Sequence, residues 1–454
     1  MNPYIFREYD IRGVVAEDFN DEVVECLGKG IGTYVRSLGG HSVTLSGDVR
    51  LSTPHLKEVL SRGLLATGVD IVDIGIVPTP VNYYSMYVLP VDGAIQITGS
   101  HNPPNMNGFK ISYDRQAVYG QQIQAIKAII ERGDFAQGTG KISYQSLLEQ
   151  YKDMIVGKIK LARPVRIAMD CGNGAGALTA PEIFRRIGCQ VTELFCTVDG
   201  NFPNHHPDPT VPKNLAALIK EVQKGGYECG LAFDGDADRI GVVDDRGEII
   251  WADYIMILFL DEVARPGVPV IFDVKCSQAL EESILAKGGV PLMWKTGHSV
   301  IKQKMKEERV PFAGEMSGHL FFGDDYFGYD DAIYVAARFV QMLARSGEAL
   351  TARMQRLPHY FSTPEMRLDC KDDAAKFAIT KQALAYFKAN YDCITVDGVR
   401  IKFGDGWGLV RSSNTQPVIV TRFEARTAAR LAQIRDLVLN KLREFGEISL
   451  TAGH

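Results

Sequence analysis

The chain has no C-x-x-C pair among its eight cysteines, Cys26, Cys171, Cys189, Cys196, Cys229, Cys276, Cys370 and Cys393. That scatter argues against a zinc site or a disulfide framework and for a reducing compartment, with the cysteines as small buried apolar side chains. No stretch approaches the roughly 18 apolar residues that a membrane span requires. The opening residues, MNPYIFREYDIRG, carry charges where a secretory leader needs an apolar run. A soluble, cytoplasmic protein with no membrane partner is expected. There is no excess of basic charge either: 50 Lys and Arg stand against 55 Asp and Glu, a formal net charge of -5. Nothing in that balance draws nucleic acid, although local basic groups can still bind a small anion. A Walker-type G-x-x-x-x-G-K-[ST] loop and a G-x-S-x-G elbow are both missing, which removes the usual nucleotide cradle and serine-hydrolase readings.

What is present is a soluble globular composition, 46% hydrophobic and 23% charged, in 454 residues. That length exceeds one ordinary core and implies two to four domains. One unit is written three times. It runs from HSVTLSGD (41–48) to TGVDIVDIG (67–75), from VRIAMDCGNG (165–174) to CQVTELF (189–195), and from VPVIFDVK (268–275) to VPLMWKTG (290–297). Each copy reads as buried strand, polar turn, amphipathic helix, glycine stop and second strand, a βαβ unit with parallel pairing. After each copy come another short strand and a polar loop: GAIQITGSHNPP (93–104), CGLAFDGDADR (229–239) and VPFAGEMSGHL (310–320). From about residue 360 closely spaced strands and helices predict an antiparallel α+β domain. The expected fold class is α/β: three similar mixed α/β domains, with parallel-rich sheets between helices, plus a smaller C-terminal antiparallel α+β domain, around a central cleft. The expected limits are 1–145, 146–248, 249–360 and 361–454.

The loops carry the chemistry. In FDGDADR, Asp234, Asp236 and Asp238 alternate on a tight turn and can converge on one hard divalent cation. An EF-hand would need glycine at its sixth position and glutamate at its twelfth; Arg239 and Asp245 stand there. A solvated acidic turn is the bland alternative. In Thr98-Gly-Ser-His-Asn-Pro-Pro, glycine and two prolines describe a rigid turn that exposes the Ser100 hydroxyl, a possible phosphoryl acceptor, with His101 and Lys110 nearby in sequence. An ordinary turn serine is the competing reading. In Gly314-Glu-Met-Ser-Gly-His319, Glu315 and Ser317 would face one way in an extended segment and suit vicinal sugar hydroxyls; an ordinary polar turn is equally open. Arg411-Ser-Ser-Asn-Thr415 offers a guanidinium, hydroxyls and an amide for a phosphate, or a capped turn. Tyr9-Asp-Ile-Arg-Gly13 adds Arg12, or an ordinary surface arginine. His205 and His206 in NFPNHHPDP read as packing residues in a proline-rich loop.

Together these four loops, in this order, resemble the α-D-phosphohexomutase superfamily over essentially the whole chain. The resemblance implies that Ser100 carries the phosphoryl group and that Asp234, Asp236 and Asp238 bind one Mg2+, completed by an oxygen of phospho-Ser100. It implies Glu315 and Ser317 for sugar hydroxyls, and Arg411, Ser413, Asn414 and Thr415 for the non-reacting phosphate. Tyr9, Arg12, Lys110, Arg239, Lys275, Gly297, His298 and His319 match further positions. The implied catalytic set is Ser100, His101, Lys110, Arg12, Arg239 and His319, with Lys110, His101 and His319 as candidate acid and base. GEMSGH resembles the bacterial phosphomannomutase/phosphoglucomutase branch. Glucosamine mutases show GEQSGH there, so Met316 weighs against phosphoglucosamine mutase as the alternative. The implied reaction moves phosphate between C1 and C6 of mannose or glucose phosphates, with a hexose 1,6-bisphosphate as intermediate and activator. Hexose phosphates are then the partners, and a monomer is the default. A phosphatase or kinase, and a non-catalytic sugar-phosphate binding protein, are the other classes to separate by product analysis.

Overall fold

The computed structural model describes residues 1–413 and 417–450. The chain forms two compact units: Met1–Ala252 with Ser317–Gln355, and Asp253–Met316 with the chain from Arg356 onward. The third repeat segment, 268–297, lies within the second unit, while the stretch 317–355 that follows it belongs to the first.

The first unit holds two sheets. The first has strand order Ile11–Val14, Met106–Tyr113, Gly93–Ile97, Ser42–Gly47, Asp70–Ile76, Ile142–Tyr144, with Gln116–Ala117 added beside Met106–Tyr113. Ser42–Gly47 pairs in parallel with both Asp70–Ile76 and Gly93–Ile97, as the βαβ reading requires, and antiparallel strands close one side. Its central strands Ser42–Gly47 and Gly93–Ile97 are buried on both faces, so they read as apolar runs such as VTL and AIQI. The helix Asp21–Ser37 shows why the layers form. Asn20 caps it by accepting from Val23 N, and Val24, Leu27, Ile31 and Val35 recur at helical spacing to face the core.

The second sheet has order Ile249–Ile250, Ile240–Val243, Cys229–Phe233, Arg166–Asp170, Gln190–Leu194, again with a parallel centre. The strand Leu320–Phe322 and the long buried helix Ala332–Ala344, capped by Asp331, also belong to this unit.

In the second unit Val290–Trp294, Pro269–Asp273 and Phe312–Gly314 run parallel. The C-terminal part is antiparallel, as expected: Asp392–Ile394, Val399–Lys402, Gly406–Ser412, Val418–Ala425, Met366–Asp369 and Ser449–Leu450 in order, with Phe361–Ser362 beside Val418–Ala425. The helices Asp373–Asn390 and Ala428–Phe445 pack Ile379, Phe387, Ile434 and Val438 into its core. Among the described residues no helix is long and apolar enough to cross a membrane.

Candidate active site

The candidate residues fall into two groups, one in each unit. In the first unit the Ser100 loop follows the strand Gly93–Ile97 and is held from behind by a fully buried ion pair, Asp48 with Arg50. The Arg50 guanidinium donates to four loop carbonyls: Ser100 O at 2.7 Å, Asn102 O at 2.6 Å, Pro103 O at 2.6 Å and Met106 O at 2.9 Å. Asp48 accepts from Arg50 Nε (3.1 Å), Thr98 Oγ1 (2.8 Å) and Thr53 Oγ1 (2.9 Å), and Thr98 Oγ1 in turn accepts from Ser100 N at 2.8 Å. A Cβ on Gly99 would lie 2.4 Å from the guanidinium carbon, so glycine is required for this approach. Drawn in this way, Ser100 takes a left-handed φ of 50°, a conformation that costs a non-glycine residue about 1 kcal/mol or more.

The serine therefore does not stand out as an exposed turn residue. It is 2% exposed, its hydroxyl turned inward. Ser100 Oγ donates to Asp234 Oδ2 at 3.1 Å and lies 3.1 Å from His101 Nδ1. This corrects the expectation of an exposed hydroxyl: the arginine clamp pulls the loop in. Sequence reading missed Asp48 and Arg50, although SGDVR sits at the carboxyl end of a parallel strand, where functional loops of α/β sheets gather.

The DGDADR turn follows Cys229–Phe233 and brings all three aspartates together, fully buried. Each offers a carboxylate oxygen, and the three atoms lie within 4.8 Å of one another. Asp234 Oδ1 accepts from Asp238 N (3.1 Å) and Arg239 N (3.2 Å), closing the turn around Ala237 at a φ of 61°. A Cβ on Gly235 would lie 2.4 Å from Ser100 O, so this glycine lets the two loops touch. Lys110, on the strand Met106–Tyr113, donates to Asp236 Oδ2 (2.8 Å) and Asp238 Oδ2 (2.5 Å). Thr79 Oγ1 donates to Asp236 Oδ2 at 2.5 Å.

The electrostatics follow from this crowding. Burial, then the charges of Asp238 and Asp236, push Asp234 well above the usual carboxylate range. Burial alone would push Asp238 up too, but Lys110 first, then His319 and Arg239, hold it well below. Burial would lower Lys110; Asp236 and Asp238 raise it well above the ordinary lysine range, so it is a cation. His101 is pushed well below the usual imidazole range by burial, then by Arg239 and Arg12, so it is neutral.

His319 joins this group. Its Nε2 lies 3.4 Å from Asp238 Oδ1 and accepts from Arg239 Nε at 3.3 Å, and its Nδ1 is 3.0 Å from Ser317 Oγ. Ser317 thus engages His319. Residues 316–317 form a turn, not the extended segment expected, so strand alternation does not line Glu315 up with Ser317. Arg12, on Ile11–Val14, is half-buried and paired with Asp10, with Tyr9 in the bend before it. His205, read as a packing residue, lies 3.0 Å from Asp170 Oδ2.

In the second unit Glu315 is 1% exposed and accepts from Gly297 N at 2.5 Å. Buried Asp273 accepts from Met316 N (3.1 Å) and Thr296 Oγ1 (3.0 Å) and lies 3.8 Å from Lys275 Nζ. Lys275 also meets Glu365 at 3.4 Å. Arg411 Nε is 3.1 Å from Asp397 Oδ2, which accepts from Thr296 N at 3.1 Å. Hydrogen bonds and ion pairs through Asp273, Thr296 and Asp397 thus bring Lys275, Gly297, Glu315 and Arg411 into one cluster, and His298 opens the next helix. Ser413 N donates to Val418 O at 3.0 Å. Asn414 and Thr415 lie outside the described residues. Asp273, Thr296, Glu365 and Asp397 are the parts missed here, because isolated acidic and hydroxyl residues carry no motif.

Four domain models of one family match in succession: phosphoglucomutase/phosphomannomutase alpha/beta/alpha domain I over residues 3–137, domain II over 143–247, domain III over 251–361 and the C-terminal domain over 365–441. The chain belongs to the phosphoglucomutase/phosphomannomutase family. A phosphomannomutase/phosphoglucomutase of Pseudomonas putida is 44% identical over 443 residues, 96% of this chain and 95% of the relative. A phosphoglucomutase of Neisseria gonorrhoeae is 42% identical over 438 residues, 95% of each. A crystal structure of a phosphoglucomutase/phosphomannomutase family protein from Burkholderia thailandensis superposes with a TM-score of 0.92 at 42% identity, covering 99% of both chains.

For this family member the aspartate loop can be tested as a metal site. Its donors are all oxygens, which suits a hard divalent cation. Asp236 Oδ1 is buried with no hydrogen-bond partner among the described residues, a cost that a cation would remove. Lys110 pairs with Asp236 and Asp238, and Asp234 meets Ser100. The residues fit a divalent cation, and Ser100 is hydrogen-bonded to one of them.

Proposed function

We propose that this chain is a phosphohexose mutase that moves a phosphoryl group reversibly between C1 and C6 of mannose and glucose phosphates, through phospho-Ser100 and a hexose 1,6-bisphosphate. The observation that carries the reading is the 3.1 Å contact between Ser100 Oγ and Asp234 in a chain of this family, whose relatives are named for both mannose and glucose mutases. Magnesium is the proposed cation, one per chain. Asp234, Asp236, Asp238 and an oxygen of phospho-Ser100 would hold it, and it would offset phosphoryl charge there.

Phosphoryl transfer asks mainly for positioning and charge stabilisation. A free sugar hydroxyl attacks the phosphorus of phospho-Ser100, and the bond from phosphorus to Ser100 Oγ breaks. The Ser100 oxygen needs a proton; His101, Lys110 and His319 are the candidates to handle it, His101 lying 3.1 Å away but held neutral by its burial and the nearby arginines. Lys110 is held charged by its carboxylates, which favours stabilising the moving phosphoryl over serving as a base. Arg239 and Arg12 add charge, and His319 is the remaining candidate to take the sugar's proton. The bisphosphate then presents its other phosphate to Ser100, and the same steps run in reverse.

Glu315 and Ser317 are proposed for sugar hydroxyls, with Tyr9, Lys275, Gly297, His298 and His319 in substrate binding. Arg411, Ser413, Asn414 and Thr415 are proposed for the non-reacting phosphate. Domain limits near 145, 248 and 360, a monomer and a cytoplasmic setting complete the proposal.

A coupled assay with mannose 1-phosphate, glucose 1-phosphate, magnesium and a trace of bisphosphate tests it. Conversion to the 6-phosphates is expected. Release of free phosphate, or no turnover by folded, serine-phosphorylated protein, contradicts it.

A further inference from the structure

In the second sheet of the first unit the strands Arg166–Asp170 and Gln190–Leu194 run parallel, with Asp170 opposite Leu194. A cysteine follows each strand end, Cys171 after one and Cys196 after the other. Backbone hydrogen bonds join the two turns beyond the sheet: Cys171 N donates to Leu194 O at 3.2 Å and Asn173 N to Phe195 O at 2.8 Å. The two sulfurs come to 3.2 Å of each other. Cys171 is buried and Cys196 half-buried, and the Cys196 thiol also lies 3.3 Å from Leu194 O. The hydrogen bond with Cys171 holds the Cys196 thiol below its usual range, and the same contact, followed by burial, pushes Cys171 well above it. Of the two, Cys196 is the less buried and is the sulfur a small oxidant meets first, with Cys171 in contact behind it as the resolving thiol. The turn after Cys171 also touches the aspartate loop, Ala175 N donating to Gly235 O at 2.9 Å.

We propose that Cys196 and Cys171 form a reversible oxidation site for a hydroperoxide, with Cys196 as the attacking sulfur and Cys171 as the resolving thiol. The Cys196 thiolate attacks one oxygen of hydrogen peroxide and the O–O bond breaks. The leaving hydroxide takes a proton and departs as water, and Cys196 becomes a sulfenic acid. The Cys171 sulfur then attacks the Cys196 sulfur, the S–O bond breaks, and its hydroxyl leaves with the Cys171 proton as a second water. Two thiols have lost two electrons and two protons, and one peroxide has become two waters. The sulfurs need only close from 3.2 Å to the disulfide length of about 2.05 Å. A reducing compartment does not oppose such a site, because intracellular disulfides are characteristically transient and redox-sensing.

The test treats the whole native protein with hydrogen peroxide, blocks remaining thiols with an alkylating reagent, and maps peptides by mass spectrometry. The expected result is a cross-linked peptide joining Cys171 to Cys196, lost again on addition of a thiol reductant. Cys171→Ser should leave a sulfenic acid on Cys196 that dimedone traps, while Cys196→Ser should leave Cys171 alkylatable. Both thiols surviving in the native protein, or Cys196 cross-linking to another cysteine, would overturn the proposal.

Discussion

The two groups of candidate residues arrange their carboxylates and cations differently. In the first unit, three fully buried carboxylates share one ammonium, Lys110, and Asp236 Oδ1 is left without a hydrogen-bond partner among the described residues. In the second unit the cations are the well-supplied species: Lys275 sits between Asp273 and Glu365, and Arg411 lies beside Asp397. The first arrangement has spare negative charge and suits a divalent cation beside a serine. The second fixes cationic side chains in place and suits holding an anion without transferring it. Both groups hold more carboxylates than cations, so what separates them is the Ser100 hydroxyl beside the acidic loop in the first and the cations pinned between carboxylates in the second.

The comparison breaks most readily at Arg50, which carries the Ser100 loop much as buried Arg400 and Arg422 hold the carbonyls of residues 274–276 around Lys275. Arg50→Ala leaves Asp48 as an unpaired buried charge and should cost about 3–5 kcal/mol of stability, read from a denaturant titration. Arg50→Lys keeps the charge but cannot serve four carbonyls at once. It should fold and lose on the order of 100-fold in turnover through misplacement of Ser100; turnover near wild type would show that the clamp does not position the serine.

A smaller effect is expected at the metal loop. If the three aspartates hold the cation, Asp236→Asn removes one of their charges, and the magnesium concentration for half-maximal activity should rise about tenfold or more. An unchanged magnesium titration would remove Asp236 from the ligand set.

The smallest effect belongs to the second group. Burial alone would raise Glu365, but Lys275 first, then Arg367 and Arg411, lower it from its ordinary 4.5 to about 2. Its folded-state value lies below its unfolded one, so the stability it contributes is present above pH 4.5 and is lost as pH falls toward about 2. Glu365→Gln should be less stable than wild type at neutral pH, and the difference should shrink across that window. A difference independent of pH would mean that the ion pair contributes nothing.

Much of this was legible in the sequence because it is local. TGSHNPP and DGDADR name Ser100 and the three aspartates, and strand-helix-strand periodicity gives the parallel pairing of Ser42–Gly47 with Asp70–Ile76. What was not legible depends on contacts between distant residues. Arg50 reaches Ser100 across 50 positions, and Asp-x-Arg after a strand is an ordinary turn until that contact is seen. The inward rotation of Ser100 follows from that same contact. Cys171 and Cys196 stand 25 residues apart, with no motif spacing, and meet only because their strands are neighbours. Asp273 and Asp397 likewise acquire meaning only through Thr296, which donates to both.

Whether Ser100 carries the phosphoryl group can be read from the protein itself. The protein is incubated with excess glucose 1,6-bisphosphate and magnesium, and phosphate is located by peptide mass spectrometry before and after addition of glucose 6-phosphate. The account predicts phosphate on Ser100 that the sugar phosphate then removes. Active protein with Ser100 unmodified throughout, or phosphate on another residue that turns over in its place, would contradict it.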